Sequence, residues 1–169
     1  DAIALDAFAI APFFGNFITG ATSVEDALDQ AEASLSIAYQ RMDNHRSLLN
    51  DQGWNIPLIA YEGGQHLNAS NAATDALFCE ANKQERMGEL YCKYLRYWFD
   101  TIGGGLFIHY NSVAPCNNTG SWGLKEYTGQ PDALSPKWRA LRECALSVGV
   151  QEVAGKHSAL FRAYPNPNS

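Results

Sequence analysis

A single carboxylate, Glu62, ends an apolar run and is followed at once by two glycines, in the stretch NIPLIAYEGG at positions 55–64. Glycine adopts almost any backbone conformation, so Gly63 and Gly64 predict a turn after a strand. The turn itself does not require a carboxylate before it. A carboxylate in this place can bind hydroxyl groups or take part in acid–base chemistry. Glu62 is therefore the first candidate for a functional residue.

Aromatic and polar side chains stand at the ends of three apolar segments, in the stretches APFFGNF, AYEGGQH and HYNSVAP. In parallel α/β folds, ligands meet the carboxyl ends of the strands. Aromatic rings stack on the apolar faces of sugars, while amide and carboxylate groups bond to sugar hydroxyls. This mixture of side chains predicts a carbohydrate ligand.

The composition excludes several other classes of ligand. The chain has 169 residues, of which 46% are hydrophobic and 18% charged, with a net charge of -6, as is typical of one globular domain. The absence of a Lys/Arg cluster argues against a nucleic-acid partner. No apolar run approaches the roughly 20 residues of a membrane span. The cysteines and histidines lack metal-site spacing, so no metal or cofactor is expected, and disulfides or buried free thiols both stay open.

The elements that must position these residues alternate between apolar strands and amphipathic helices. Strands are predicted at 7–12, 56–62 and 106–113. One helix is predicted from a capping box of Thr22 and Glu25 to about Leu49. A second helix is predicted at roughly 76–101, and a third begins with Ser135 as N-cap and Pro136 as its first residue. The order β-α-β-α-β-α predicts an α/β fold with a parallel sheet.

Several of these segments resemble one family. IPLIAYEGG resembles the seventh strand of the large clan of retaining glycoside hydrolases built on the (β/α)8 barrel. GGGLFIHYNSV and GSWGLKEYTGQPDALSPKWRAL resemble the eighth strand, its loop and the closing helix, and AIAPFFG resembles the sixth strand. The resemblance implies a partial (β/α)8 TIM barrel of about three β-α units, with residues 1–150 as its C-terminal portion and 151–169 as a terminal extension and linker.

The resemblance also implies roles for single residues. Glu62 takes the position of the nucleophile of a retaining glycoside hydrolase. The acid/base carboxyl that must lie about 5–5.5 Å away belongs to a part of the family that this sequence does not contain. We therefore expect the chain to be inactive alone. The residues expected to contact substrate are Trp122 and Tyr110 as a sugar platform, His66, Gln65 and Asn111 at hydroxyls, and Phe14 at the end of the sixth strand.

The tail YPNPNS resembles the opening of the C-terminal sorting domain of secreted proteins from Bacteroidetes-type bacteria. This second resemblance implies a secreted or cell-surface protein, and a carbohydrate polymer or oligosaccharide as its partner. Self-association is a further expectation, because a sheet of three strands leaves two open edges that invite pairing with another chain.

Each candidate also has a structural interpretation. Glu62 could cap a loop or meet a lysine, and Trp122 could pack over the rim of the fold. His66 and His109 are more often buried structural histidines than catalytic ones. A different class of function, a non-catalytic carbohydrate-binding module, uses the same aromatic residues and lets Glu62 bind hydroxyls. The aromatic residues of the second helix, Tyr91, Tyr94 and Trp98, are expected to pack in the core.

Overall fold

A computed structural model describes residues 5–145 except 17, 19, 70, 118 and 119. Within this part of the chain, about half of the residues are helical and the only sheet has two strands. The predicted linker at 151–169 and the predicted end of the last helix lie outside the described residues. No helix in the described part is both long enough and apolar enough to cross a bilayer.

Strands β1 (Phe8–Ile10) and β2 (Leu58–Ala60) pair in parallel, with Ala9 opposite Ile59. They lie within two of the predicted strands, but each is only three residues long. Because parallel strands end at the same edge of a sheet, the residues that follow β1 and β2 meet there. Glu62 is among them.

The third predicted strand, 106–113, is wrong. Ala60 bonds to this segment twice: its N–H donates to the Leu106 carbonyl at 2.8 Å, and its carbonyl accepts the Ile108 N–H at 3.0 Å. Beyond that single bridge the segment leaves β2, and its backbone bonds instead to the turn after β2 and to the loop at 124–125. Its hydrogen bonds are shared among three partners, so no continuous ladder forms.

The predicted fold class is wrong for the same reason. The structure is mostly helical with one two-stranded parallel sheet, and it is not a partial TIM barrel with three β-α units. Apolar character and flanking glycines identified segments that cross the core in extended form. They did not show how many consecutive residues of each segment would pair with a neighbour.

Helix α1 (Val24–Asp51) confirms the first predicted helix. Its N-cap is Ser23, whose hydroxyl accepts the Asp26 N–H at 3.0 Å. Thr22, the predicted cap, instead donates its N–H and its hydroxyl to the Asp26 carboxylate, both at 2.8 Å. These bonds lower the pKa of Asp26. The predicted apolar stripe is buried along the helix and includes Ala27, Leu28, Ala31, Leu35, Ala38 and Met42.

The second predicted helix is divided into α2 (Ala72–Ala81) and α3 (Glu85–Arg96), which continues as a π-helical turn at Tyr97–Thr101. The division falls at Asn82, whose side-chain amide donates to the Phe78 carbonyl at 2.8 Å. An asparagine that bonds to nearby backbone competes with helical hydrogen bonding. This competition explains why one predicted helix became two.

The last described helix, α4 (Pro136–Ala140), follows a 3₁₀ turn at Asp132–Leu134 and continues as a π-helical turn at Leu141–Ala145. Ser135 occupies the N-cap position and a proline the first helical position, as predicted. The Ser135 hydroxyl does not cap the helix, however, because it donates to the Pro131 carbonyl at 3.0 Å.

Two disulfides join the helices to each other and to a loop. Cys79–Cys116 links α2 to the loop after the third apolar segment, and Cys92–Cys144 links α3 to the turn after α4. All four cysteines are therefore oxidised. Of the two alternatives that the sequence left open, the structure shows disulfides.

The core lies between the helices and one face of the short sheet. Tyr91 and Tyr94 of α3, and Trp98 of the π-helical turn that continues it, are fully buried, which confirms their predicted packing role. Trp98 and Tyr94 contact the ring of Phe107, with centroids 5.8 and 5.7 Å away. These contacts place α3 directly beneath the strand ends that carry the candidate site.

Candidate functional site

Four rings meet at the edge of the sheet where β2 ends. His66 lies edge to face with Phe13 and with Trp122, at centroid distances of 5.4 and 5.5 Å. Tyr110 completes the group, 6.5 Å from Phe13 and 5.8 Å from Trp122. We call these four residues the aromatic cluster. Tyr110 is 42% exposed and the other three are partly buried, so the cluster presents ring surface to solvent.

Phe13 and Phe14 have different surroundings although they are neighbours in sequence. Phe14 is 1% exposed and packs against Tyr91 and Tyr94, with centroids 5.5 and 5.1 Å away. Successive side chains of an extended segment point to opposite sides. The structure therefore places Phe14, the residue expected to contact substrate, in the core, and it places Phe13 in the aromatic cluster.

Glu62 follows β2 and is partly buried. No hydrogen bond or ion pair joins its carboxylate to another residue in the described part of the chain. The backbone around it is held, because the Tyr61 N–H donates to the Ile10 carbonyl at 3.1 Å and the Tyr110 N–H donates to the Gly63 carbonyl at 2.9 Å. The carboxylate thus sits on ordered backbone and keeps its hydrogen-bonding capacity for a ligand.

The two glycines after Glu62 are required by close packing. A Cβ atom on Gly63 would lie 2.6 Å from the ring of Phe107. A Cβ atom on Gly64 would lie 2.6 Å from His109 Nε2, and the φ of Gly64 is 131°, which favours glycine. The pair allows the strand end to lie directly against the aromatic core.

His109 is part of a partly buried chain of hydrogen bonds. Its Nδ1 lies 3.2 Å from the Asn111 carbonyl, which can only accept, so Nδ1 carries the proton. Its Nε2 then accepts from the Tyr91 hydroxyl at 2.9 Å, and the Tyr91 oxygen accepts the Gln65 N–H at 3.0 Å. Burial, with a smaller effect from the charge of Lys137, lowers the pKa of His109 to about 3. These contacts agree with the structural interpretation of His109.

Gln65 is fully buried and supports the loop that carries Trp122. Its amide nitrogen donates to the Ser121 carbonyl at 2.5 Å, and its amide oxygen accepts the Leu67 N–H at 2.6 Å. Asn82 donates to the Ser121 hydroxyl at 2.7 Å. Gln65 was expected to contact a sugar hydroxyl, but both ends of its amide form hydrogen bonds within the protein.

Asn111 and Trp122 each have a buried polar atom without a hydrogen-bond partner in the described part of the chain, Asn111 Oδ1 and Trp122 Nε1. The peptide bond between Tyr110 and Asn111 is cis. The Asn111 carbonyl accepts the Leu124 N–H at 3.0 Å. These contacts connect Asn111 to the aromatic cluster through its neighbour Tyr110 and to the loop after Trp122.

Sequence reasoning missed Lys137, which lies in the first turn of α4. It is only 4% exposed, and its Nζ donates to the Ser121 carbonyl at 2.8 Å. Burial lowers the pKa of Lys137 to about 7, while the charge of Glu126 opposes that shift. Lysine is almost never fully buried without a partner, so its position in a helical pattern predicts a surface residue.

The structure therefore brings together His66, Tyr110 and Trp122 with Phe13. Glu62 lies on the segment after β2, next to Gly63, whose carbonyl accepts the Tyr110 N–H. Within the described ranges, no group of three His, Cys, Asp or Glu side chains could hold a metal ion. Partly exposed rings and one carboxylate without a hydrogen bond to the described residues can bind a ligand that has both apolar faces and hydroxyl groups.

Three comparisons with known proteins gave no match, whether with family models, curated proteins or solved structures. The function of the chain therefore has to be inferred from the side chains of this site.

Proposed function

We propose that the chain binds a carbohydrate polymer or oligosaccharide as a glycoside hydrolase-like, polysaccharide-acting domain with Glu62 at the nucleophile position. The observation that supports this proposal most is the contact of four rings, Phe13, His66, Tyr110 and Trp122, at the strand edge that carries Glu62. Sugars have apolar faces that stack on rings and hydroxyls that bond to carboxylates. The cluster and the carboxylate supply both kinds of contact.

Retaining hydrolysis of an O-glycosyl bond needs two carboxyl groups about 5–5.5 Å apart, one as nucleophile and one as acid/base. Glu62 supplies the first role in the proposal, and no residue of this chain is assigned to the second. We therefore propose that the isolated chain binds sugar without turnover.

The experiment has two parts. Sugar release from β-glucans, mannans and xylans by the isolated chain should stay at background. A pull-down on the insoluble polymers should recover the protein, and Trp122→Ala should reduce the bound fraction. Release that disappears in Glu62→Gln would refute the claim of inactivity, although it would establish Glu62 as the nucleophile.

A second candidate function is a non-catalytic carbohydrate-binding module. The described residues donate no hydrogen bond to the Glu62 carboxylate. This observation favours the module, because a nucleophile is usually oriented by such bonds. Binding that survives Glu62→Ala and is lost in Trp122→Ala favours the module. Binding that falls in both variants favours the glycoside hydrolase-like site.

We also propose that the protein is secreted or displayed at the cell surface. The two disulfides support this proposal, because disulfides persist mainly in oxidising compartments. Thiol titration of protein isolated from the native source under alkylating conditions tests it. Four reactive thiols in the folded protein would contradict it.

Self-association is proposed through the exposed side of the third apolar segment. Leu106 and Ile108 lie two residues apart along it and are 44% and 38% exposed. Rows of exposed apolar side chains are typical of interaction surfaces. Analytical ultracentrifugation should show a concentration-dependent dimer that Ile108→Lys abolishes, and a monomer at every concentration would contradict the proposal.

A further inference from the structure

We infer that Lys137 is a positioning residue for Trp122 and acts through the backbone carbonyl of Ser121. This inference rests on the proposed function, since it concerns the ring that would contact sugar. Lys137 Nζ donates to the Ser121 carbonyl at 2.8 Å, and that carbonyl belongs to the peptide unit that links Ser121 to Trp122. The same carbonyl also accepts from the Gln65 amide at 2.5 Å. The two hydrogen bonds together fix the plane of the peptide from which the Trp122 side chain projects.

The Lys137 side chain is enclosed by neighbouring residues. Lys137 and Asn82 are 4% and 6% exposed, and with Glu126 they line a cavity of about 20 Å³, which holds about one water molecule. Asn82 Oδ1 is buried and has no protein partner in the described ranges. The ammonium has three N–H donors. The ammonium therefore has donors that its bond to the Ser121 carbonyl does not use.

Three other titratable groups surround Lys137 from separate elements. Glu126 and Lys83 line the same cavity and lie 4.0 Å apart, and His109 lies close enough to be affected by the charge of Lys137. The pKa of His109 is lowered to about 3 by burial, and that of Lys83 is raised by its bond to Glu80. The pKa of Lys137, lowered by burial to about 7, lies between these values.

Protonation of Lys137 should therefore control how firmly the Trp122 loop is held. A charged donor makes a hydrogen bond roughly twice as strong as a neutral one. Above the pKa of Lys137 the bond to Ser121 is neutral, and the peptide next to Trp122 is held less firmly. If Trp122 contacts sugar, affinity should fall by a factor of about three to ten between pH 6 and pH 8.5.

The test is a pH titration of the Trp122 indole N–H resonance in the ¹H–¹⁵N spectrum of the unliganded chain, assigned with Trp122→Phe. The titration is run in a His66→Phe background, which removes the imidazole that lies against the Trp122 ring. The resonance should shift with a midpoint near the Lys137 pKa of about 7. Glu126→Gln removes a charge that favours the ammonium, so the midpoint should move to lower pH. Lys137→Met should abolish the shift. Lys93→Met, an exposed lysine on α3, should leave it unchanged.

An indole resonance that does not move between pH 5.5 and 8.5, or a midpoint that Glu126→Gln leaves in place, would overturn the inference. Glu126 is partly exposed, so this variant tests the inference even where Lys137→Met fails to fold. Polysaccharide affinity of the wild type is measured over the same pH range. If no polysaccharide binds at any pH, the proposed function fails, while the indole titration still decides the role of Lys137.

Discussion

The indole of Trp122 and the imidazole of His66 lie edge to face, with centroids 5.5 Å apart and an interplanar angle of 70°. His66 is held by the chain after β2, and Trp122 by a loop that the Cys79–Cys116 disulfide and the bonds to Ser121 fix against the helices. The two rings meet because both loops are anchored to the same helical layer. The aromatic cluster is thus a preformed surface.

Trp122→Ala should weaken polysaccharide binding by about tenfold or more, since truncation of a central aromatic residue commonly costs more than 1 kcal/mol. The matched control is Trp54→Ala. Trp54 is 44% exposed and precedes β2, at the end of the sheet opposite to Glu62. Affinity electrophoresis in polysaccharide-containing gels measures both variants. Equal retardation of the two would remove Trp122 from the binding surface.

Gly64→Ala should destabilise the fold by about 1–3 kcal/mol or more, because the backbone conformation favours glycine and the new methyl group meets His109. Gly20→Ala is the control, since a Cβ atom there meets nothing within 4 Å. Its effect should stay within about 0.5 kcal/mol. Urea denaturation gives the free energy of unfolding of each variant. A tolerated alanine at Gly64 would contradict the close packing described for the Glu62 turn.

Replacing both cysteines of either disulfide by alanine should lower stability by a similar amount, about 4 kcal/mol on loop-closure grounds, since the bonds close loops of 37 and 52 residues. The two pairs of replacements should have different effects on polysaccharide binding. Loss of Cys79–Cys116 frees the loop that carries Trp122, whereas loss of Cys92–Cys144 frees the end of α4.

Binding is therefore compared at a temperature where both double variants are folded. Weaker binding is expected only in the variant that lacks Cys79–Cys116. An equal loss of binding in both variants would mean that Cys79–Cys116 does not act through the loop that carries Trp122.

His109 should make the protein sensitive to acid. Burial lowers its pKa from an ordinary value of 6.5 to about 3 in the folded state, so the unfolded chain binds the proton first as pH falls. Stability is then lost progressively between about pH 6.5 and pH 3. In His109→Gln, the free energy of unfolding should depend less on pH over this range. Parallel pH profiles of variant and wild type would contradict a neutral imidazole at His109 in the folded state.

Part of the fold follows directly from sequence patterns. Ala27, Leu28, Ala31 and Leu35 recur at helical spacing, and α1 buries them. Glu62-Gly63-Gly64 predicted a turn at a strand end, and the turn is present after β2. Such signals are local, because each depends on residues within one element.

The predictions that were wrong or missing concern contacts between residues that are far apart in the sequence. Nothing near the third apolar segment shows that Ala60 would be the one residue of β2 to bridge to it. The burial of Lys137 depends on a carbonyl at Ser121, which lies 16 residues earlier in the chain. The sequence predicted Phe14 at the substrate, but it did not show that Phe14 would face the core and Phe13 the aromatic cluster. These features arise from packing, which periodicity within one segment does not describe.

The central claim is that the aromatic cluster and Glu62 form a carbohydrate site. Isothermal titration calorimetry of the wild-type chain with oligosaccharides of β-glucan, mannan and xylan tests it most directly, with Glu62→Gln beside it and Glu89→Gln of α3 as the matched control. We predict saturable binding of at least one oligosaccharide that weakens in Glu62→Gln and not in Glu89→Gln. The absence of binding to all three, or binding that Glu62→Gln leaves unchanged, would contradict the claim.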